Sequence, residues 1–194
     1  MKRQTLAIGT TAAMAVVAAV VAIFVWSPFG APPAPPPGAL AANTLPIGFK
    51  PFTPPIRLDD VAFEDETGRT VHLSDFRGRP VLLNIWAKWC APCLVELPRL
   101  DLLQSKAAPG TLAVVAVAVD EPDPAKVKNF LANHNMTALT PYLDPKNAFA
   151  RALQIRTIPV SVLIDKNGYA LVRADAPIEW FSDDAVTLLQ RLIL

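Results

Sequence analysis

The chain has 194 residues, 52% of them hydrophobic and 18% charged, with 20 prolines, 2 cysteines and a formal net charge of +1; its mean hydropathy is +0.33. Average proteins are roughly 25% charged and about 5% proline, so apolar and proline residues must be concentrated outside an ordinary globular part. Two cysteines exclude a disulfide-stapled miniprotein and a four-cysteine zinc module, and the near-zero charge gives no reason to expect a nucleic-acid partner.

Met1-Lys2-Arg3 precedes an uncharged run of 23 residues, Gln4 to Trp26. A hydrocarbon layer about 30 Å thick needs roughly 20 apolar helical residues, and a helix satisfies its own backbone amides there. Residues 1–26 are therefore predicted to form an N-terminal transmembrane helix. A cleaved signal peptide also begins with positive charge, but its apolar region is usually about 7 to 15 residues. The small-x-small triplet Ala39-Leu40-Ala41 lies beyond the run and behind a proline cluster, which favours an uncleaved anchor. Lys2 and Arg3 hold the short end in the cytoplasm, and the rest is expected to be exported.

Ser27 to Pro55 contains ten of the twenty prolines and one charged residue, Lys50. Runs such as Pro32-Pro33-Ala34-Pro35-Pro36-Pro37 favour extended polyproline II structure and build no core, so residues 27–55 read as a semi-rigid linker.

Residues 56–194 form the globular part, with 15 basic against 17 acidic residues, a net of −2. Val81–Trp86 is an apolar run suited to a strand covered on both faces. Leu94, Leu97, Leu100 and Leu103 then recur at helical spacing; Pro92 suits a first turn, and Pro98 is expected to kink the helix. Leu112–Val119 reads as a second buried strand, 124–133 as a helix capped by Asp123, and 145–153 as a shorter helix. Val160–Ile164 and Ala170–Arg173 flank Asn167-Gly168, a hairpin signal. Ser182–Leu194 is an amphipathic helix. Two α/β crossovers, a hairpin and a final helix predict an α/β fold, a mixed central sheet with helices on both faces.

Cys90-Ala91-Pro92-Cys93 falls where a buried strand gives way to a helix. The free amides and positive dipole of a helix N-terminus stabilise a thiolate, so the pKa of Cys90 is expected to fall from about 8.5. Cys93, one turn along, is expected to be more buried. Cys90 then opens a substrate disulfide and Cys93 resolves the mixed disulfide. A zinc site would need two more ligands, and only the isolated His72 and His134 are present; covalent haem would need His where Leu94 stands. A static structural disulfide gains little from closing so short a loop. No metal is therefore assigned.

Thr157-Ile158-Pro159 directly precedes a strand. Proline at a strand start is tolerated; the sharper reading is a cis-proline loop facing the dithiol, with the Ile158 backbone free to pair with an extended substrate.

Trp86-Ala87-Lys88-Trp89-Cys90-Ala91-Pro92-Cys93, the Ile-Pro before a strand and Ile164-Asp165-Lys166-Asn167-Gly168 together resemble a thioredoxin-fold protein. Phe63–Gly68 and Leu73–Gly78 narrow the resemblance to the membrane-tethered TlpA/ResA/CcmG family, and Ala176–Trp180 to its TlpA-like members. The resemblance covers 56–194. It implies a protein-disulfide reductase, single-pass in the cell inner membrane with a periplasmic domain. No cofactor beyond the redox-active Cys90–Cys93 pair is implied. Its expected partners are a transmembrane thiol reductant and proteins of copper-site or haem-site assembly in cytochrome biogenesis. An oxidase or isomerase of the same fold is the first alternative, and a copper chaperone or passive adaptor the second; few His and Met residues near the motif weigh against the latter.

Thioredoxin carries an acid six residues before its nucleophile, and here that place is Asn84, which cannot titrate. Glu96 matches the active-site glutamate of the ResA-like proteins and lies one turn after Cys93. Two readings fit it: a general base for Cys93 or a solvated carboxylate on the helix face. Lys88 beside the motif has two readings, a charge that lowers the Cys90 pKa or a plain surface group, the second being favoured; Trp86 and Trp89 are expected as packing and a wall of the site. Trp89, Ile158 and Pro159 are the expected substrate-binding residues.

Overall fold

The computed structural model describes residues 45–58 and 61–193. The transmembrane helix expected at 1–26 and most of the linker lie outside those residues, and no described helix is long and apolar enough to cross a membrane. In chain order the strands are β1 (Phe49–Arg57), β2 (Ala62–Glu64), β3 (Thr70–His72), β4 (Val81–Trp86), β5 (Ala113–Ala118), β6 (Tyr142–Leu143), β7 (Val160–Ile164) and β8 (Tyr169–Ala174). The helices are α1 (Ala91–Lys106), α2 (Pro124–Asn133), α3 (Ala148–Ala152) and α4 (Asp183–Ile193), with a 3₁₀ turn at Leu73–Phe76.

The strands form one sheet in the order β1-β8-β7-β4-β5-β6-β2-β3. β4 runs parallel to β5 and antiparallel to β7. These two central strands are buried along their whole length, as expected where both faces are covered. Period-two alternation divides the core. Leu82, Trp86, Val114 and Ala116 pack with Leu97 and Leu100 of α1, Val127 and Leu131 of α2 and Leu188 of α4. Leu83, Ile85, Val115 and Val117 face the other way, onto Phe63, Phe76 and Phe149, where Phe63 lies 5.3 Å from Phe149 and 5.4 Å from Tyr142 between ring centres. Helices thus cover both faces, but the second carries only α3, the 3₁₀ turn and an aromatic cluster.

The structure corrects several expectations. Phe49–Pro55, read as the end of the linker, belongs to β1, which pairs with β8. Proline lacks an N–H and is tolerated only at sheet edges or irregularities. β1 is an edge strand, and its register breaks between Pro51 and Ile56, where Pro54 and Pro55 fall. The β2–β3 hairpin was not anticipated; its strands are three residues each. Its turn is organised by Asp65, whose Oδ1 accepts from the Thr67 amide at 2.9 Å, the Thr67 hydroxyl at 2.6 Å and the Arg69 amide at 3.1 Å. The shorter helix begins at Ala148 rather than 145, because the Asp144 carboxylate accepts from the amides of Ala148 and Phe149, both at 2.8 Å, leaving 145–147 as a turn. Apart from these differences, Pro98 lies inside α1 on its exposed side, where water can take the carbonyl it frees.

Candidate active site

β4 ends at Trp86, and the chain turns through Ala87–Trp89 before α1 starts; the Cys90 amide closes this turn on the Ala87 carbonyl at 3.1 Å. Cys90 is the N-cap of α1, in extended conformation, and Pro92 lies in the first turn. The Cys93 amide donates to Cys90 Sγ at 3.3 Å. Ser or Asp oxygens usually satisfy such a free helix amide; here sulfur does, and that donor favours negative charge on Sγ once the disulfide opens. Cys90 and Cys93 are joined in a disulfide, with their Cα atoms 5.3 Å apart.

Cys93 is the more buried of the two, as its place one turn along the helix predicts: in this oxidised state Cys90 is 4% and Cys93 1% exposed. The Ile158–Pro159 peptide is cis, and the Ile158 carbonyl oxygen is 3.7 Å from Cys90 Sγ. Pro159 is buried and Ile158 half-buried. Trp89 beside the cysteine is 72% exposed and Val95, further along α1, 62%. The nearly covered disulfide thus lies beside an exposed apolar side chain, Trp89. Trp86, fully buried, packs on Phe130 with ring centres 5.6 Å apart, so it supports the site from beneath and forms no exposed wall.

Lys88 is not simply a surface group. Its Nζ reaches Glu121 Oε2 at 2.6 Å, and its amide donates to Asp120 Oδ2 at 3.0 Å. Hydrogen bonding from Lys88 lowers the Glu121 pKa, and the ammonium is engaged with this carboxylate rather than with sulfur.

Glu96 is not a solvated carboxylate. Its helical position turns it inward beside Leu97 and Leu100, and it is 1% exposed. Oε1 accepts from the Trp180 indole N–H at 2.7 Å and the Ile178 amide at 3.1 Å; Oε2 accepts from Asn84 Nδ2 at 3.2 Å. Burial pushes its pKa up, against these donors and the positive charge of Arg99. Asn84 follows the alternation of β4 onto the α1 side, and the same Nδ2 donates to Ser161 Oγ at 2.9 Å on β7, its cross-strand partner. Ser161, Ile178 and Trp180 were not assigned roles from sequence. A serine interrupting the apolar run 160–164 was the available signal for the first; nothing local linked 178 and 180 to Glu96, more than 80 residues away.

A mixed sheet presenting a dithiol at a helix N-terminus, faced by a cis-proline loop, defines a thioredoxin-like protein. The chain matches the Redoxin family over residues 50–177 and belongs to it. The resemblance to TlpA/ResA/CcmG proteins holds as well. The thiol-disulfide oxidoreductase ResA of Bacillus thuringiensis subsp. konkukian is 34% identical over 104 residues, which are 54% of this chain and 59% of the relative. The thioredoxin-like protein YneN of Bacillus subtilis is 32% identical over 111 residues, 56% of this chain and 64% of that one. Among solved structures, the exposed lipoprotein thioredoxin of Streptococcus pneumoniae superposes with a TM-score of 0.58 at 27% identity, covering 68% of this chain and 98% of the other. The chain thus spans about 59% of the length of the first curated relatives it matches.

Proposed function

We propose that the protein is a membrane-anchored thiol:disulfide oxidoreductase that reduces protein disulfides on the periplasmic side of the inner membrane. The observation that carries this reading is the Cys90–Cys93 disulfide at the start of α1, with the Cys93 amide on Cys90 Sγ and the Ile158 carbonyl beside it. In the reduced form, the Cys90 thiolate attacks a substrate disulfide; a Cys90–substrate S–S bond forms and the first substrate thiolate leaves. Glu96 takes the Cys93 proton, the Cys93 thiolate attacks Cys90 Sγ, and the second substrate thiolate departs. The substrate gains two electrons and, from solvent, two protons; the enzyme is left as its disulfide and Glu96 returns its proton to water. Trp89 and Ile158 form the docking surface, with the buried cis Pro159 shaping the loop beneath them and the Ile158 backbone pairing with an extended segment of the substrate.

The sequence supports the rest of the reading. Gln4–Trp26 is the anchor, the proline-rich stretch gives the domain reach, and a transmembrane thiol reductant restores the dithiol, with no organic cofactor. The substrates are proteins whose cysteines bind copper or haem during cytochrome biogenesis; the ResA relative is itself named a thiol-disulfide oxidoreductase.

Cys93→Ser should accumulate mixed disulfides through Cys90, and mass spectrometry of the trapped species identifies the partners. Recovery of none, beside a working thioredoxin control, refutes protein-disulfide exchange. A reduction potential near DsbA's, about −120 mV, rather than near thioredoxin's, about −270 mV, would make the protein an oxidase. Stoichiometric Cu(I) binding without disulfide exchange would make it a copper chaperone.

A further inference from the structure

Glu96 receives its hydrogen bonds unevenly. Oε1 takes two, from the Ile178 amide at 3.1 Å and the Trp180 indole at 2.7 Å, while Oε2 takes one, from Asn84 Nδ2 at 3.2 Å. A carboxylate oxygen offers about two lone-pair directions, so Oε1 is fully engaged and Oε2 retains room for a proton. Both Oε1 donors come from the approach to α4, just beyond the segment matched to the Redoxin family, 50–177. The Trp180 ring is completely buried. Phe49 of β1 meets it edge-on with ring centres 6.0 Å apart.

We propose that Trp180 is a positioning residue for thiol exchange: with the Ile178 amide it clamps Oε1 of Glu96 and leaves Oε2 as the oxygen that takes the Cys93 proton. The proposal rests on the reading of Glu96 as the base for Cys93. The groups that face Glu96 from the surrounding elements are few. Asn84 on β4 carries no charge, nor does Ser161 beyond it on β7. Cys93 and Arg99 share α1 with Glu96, and Arg99 is paired with Glu179 at 3.0 Å. A two-donor clamp on one oxygen favours the carboxylate and orients it, whereas a tryptophan that merely filled space would do neither.

The test follows the resolving step in the reduced full-length protein. Cys90 is converted to a thionitrobenzoate mixed disulfide, and release of the coloured thiolate by Cys93 is timed as a function of pH. Trp180→Phe keeps the ring and removes the N–H. Its pH midpoint for resolution is expected to rise by about one to two units, the size expected for losing one hydrogen bond to a charged acceptor. In parallel, the indole N–H resonance of Trp180, assigned in the parent by its through-space contact with the Phe49 ring, should titrate at the midpoint of the parent's rate and stay flat in Glu96→Gln. An unmoved midpoint in folded W180F overturns the proposal. Should W180F not fold, the parent's indole resonance decides: titration supports the proposal, and a flat response overturns it. If E96Q keeps the parent's pH dependence, the base reading itself fails; if E96Q abolishes that dependence while W180F leaves it unmoved, only the role of Trp180 fails.

Discussion

Asn84→Asp is the sharpest probe of the buried polar group behind the dithiol. Asn84 Nδ2 lies 3.2 Å from Glu96 Oε2, and the substitution replaces a donor with a second carboxylate at nearly the same place. Two unit charges at that separation repel by about 5 kcal/mol at an effective dielectric constant of about 20. The pair escapes by binding a proton. For a carboxyl of ordinary pKa near 4, uptake from solution costs roughly 4 kcal/mol at pH 7 and about 1.4 kcal/mol at pH 5, so protonation caps the penalty at pH 7. The sign follows from linkage. The folded variant holds a shared proton that its unfolded chain releases near pH 4, so that contribution is fully present below about pH 4 and is lost as pH rises towards the raised folded value. Urea unfolding at pH 5 and pH 7 should therefore show a deficit relative to the parent that grows by up to about 2.7 kcal/mol over those two pH units. A variant as stable as the parent at pH 7 would refute the placement of Asn84 against Glu96.

The Asp65 carboxylate, held by Thr67 and Arg69, has its pKa lowered from 3.8 to about 2. Carbon NMR should find its titration midpoint near that value, and its contribution to stability should be present above about pH 4 and disappear as pH falls through the folded value. Because the Lys88 ammonium is paired with Glu121, Lys88→Met should leave the alkylation midpoint of reduced Cys90 unchanged; a rise of about one pH unit would show that the charge does reach the sulfur.

Much of this arrangement was legible in local sequence. A dithiol spaced one helical turn apart, an apolar strand before it and a proline in the first turn of a helix are short-range features, governed by backbone sterics and periodicity. The Asn167-Gly168 hairpin belongs with them. Strand β1 did not, because its prolines argue for a linker until the partner is known: Phe49 pairs with Ala174 and Lys50 with Arg173, and a lone edge strand has no signature independent of its neighbour. The same reasoning covers β2 and β3, whose three-residue strands are held mainly by pairing and by the Asp65 turn.

Residue type and spacing by themselves determined that Cys90 leads and Cys93 follows at a strand-to-helix junction, since both sit within one turn of chain. Only tertiary structure decided the state of Glu96. A glutamate three residues after Cys93 lies on the same helical flank whether it meets water or protein. It became a buried carboxylate with a raised pKa because α1 packs on β4 at Asn84 and because the chain returns, more than 80 residues later, to place the Ile178 amide and the Trp180 indole on one of its oxygens. Desolvation and hydrogen bonding depend on what closes over a group, and those contacts come from distant chain.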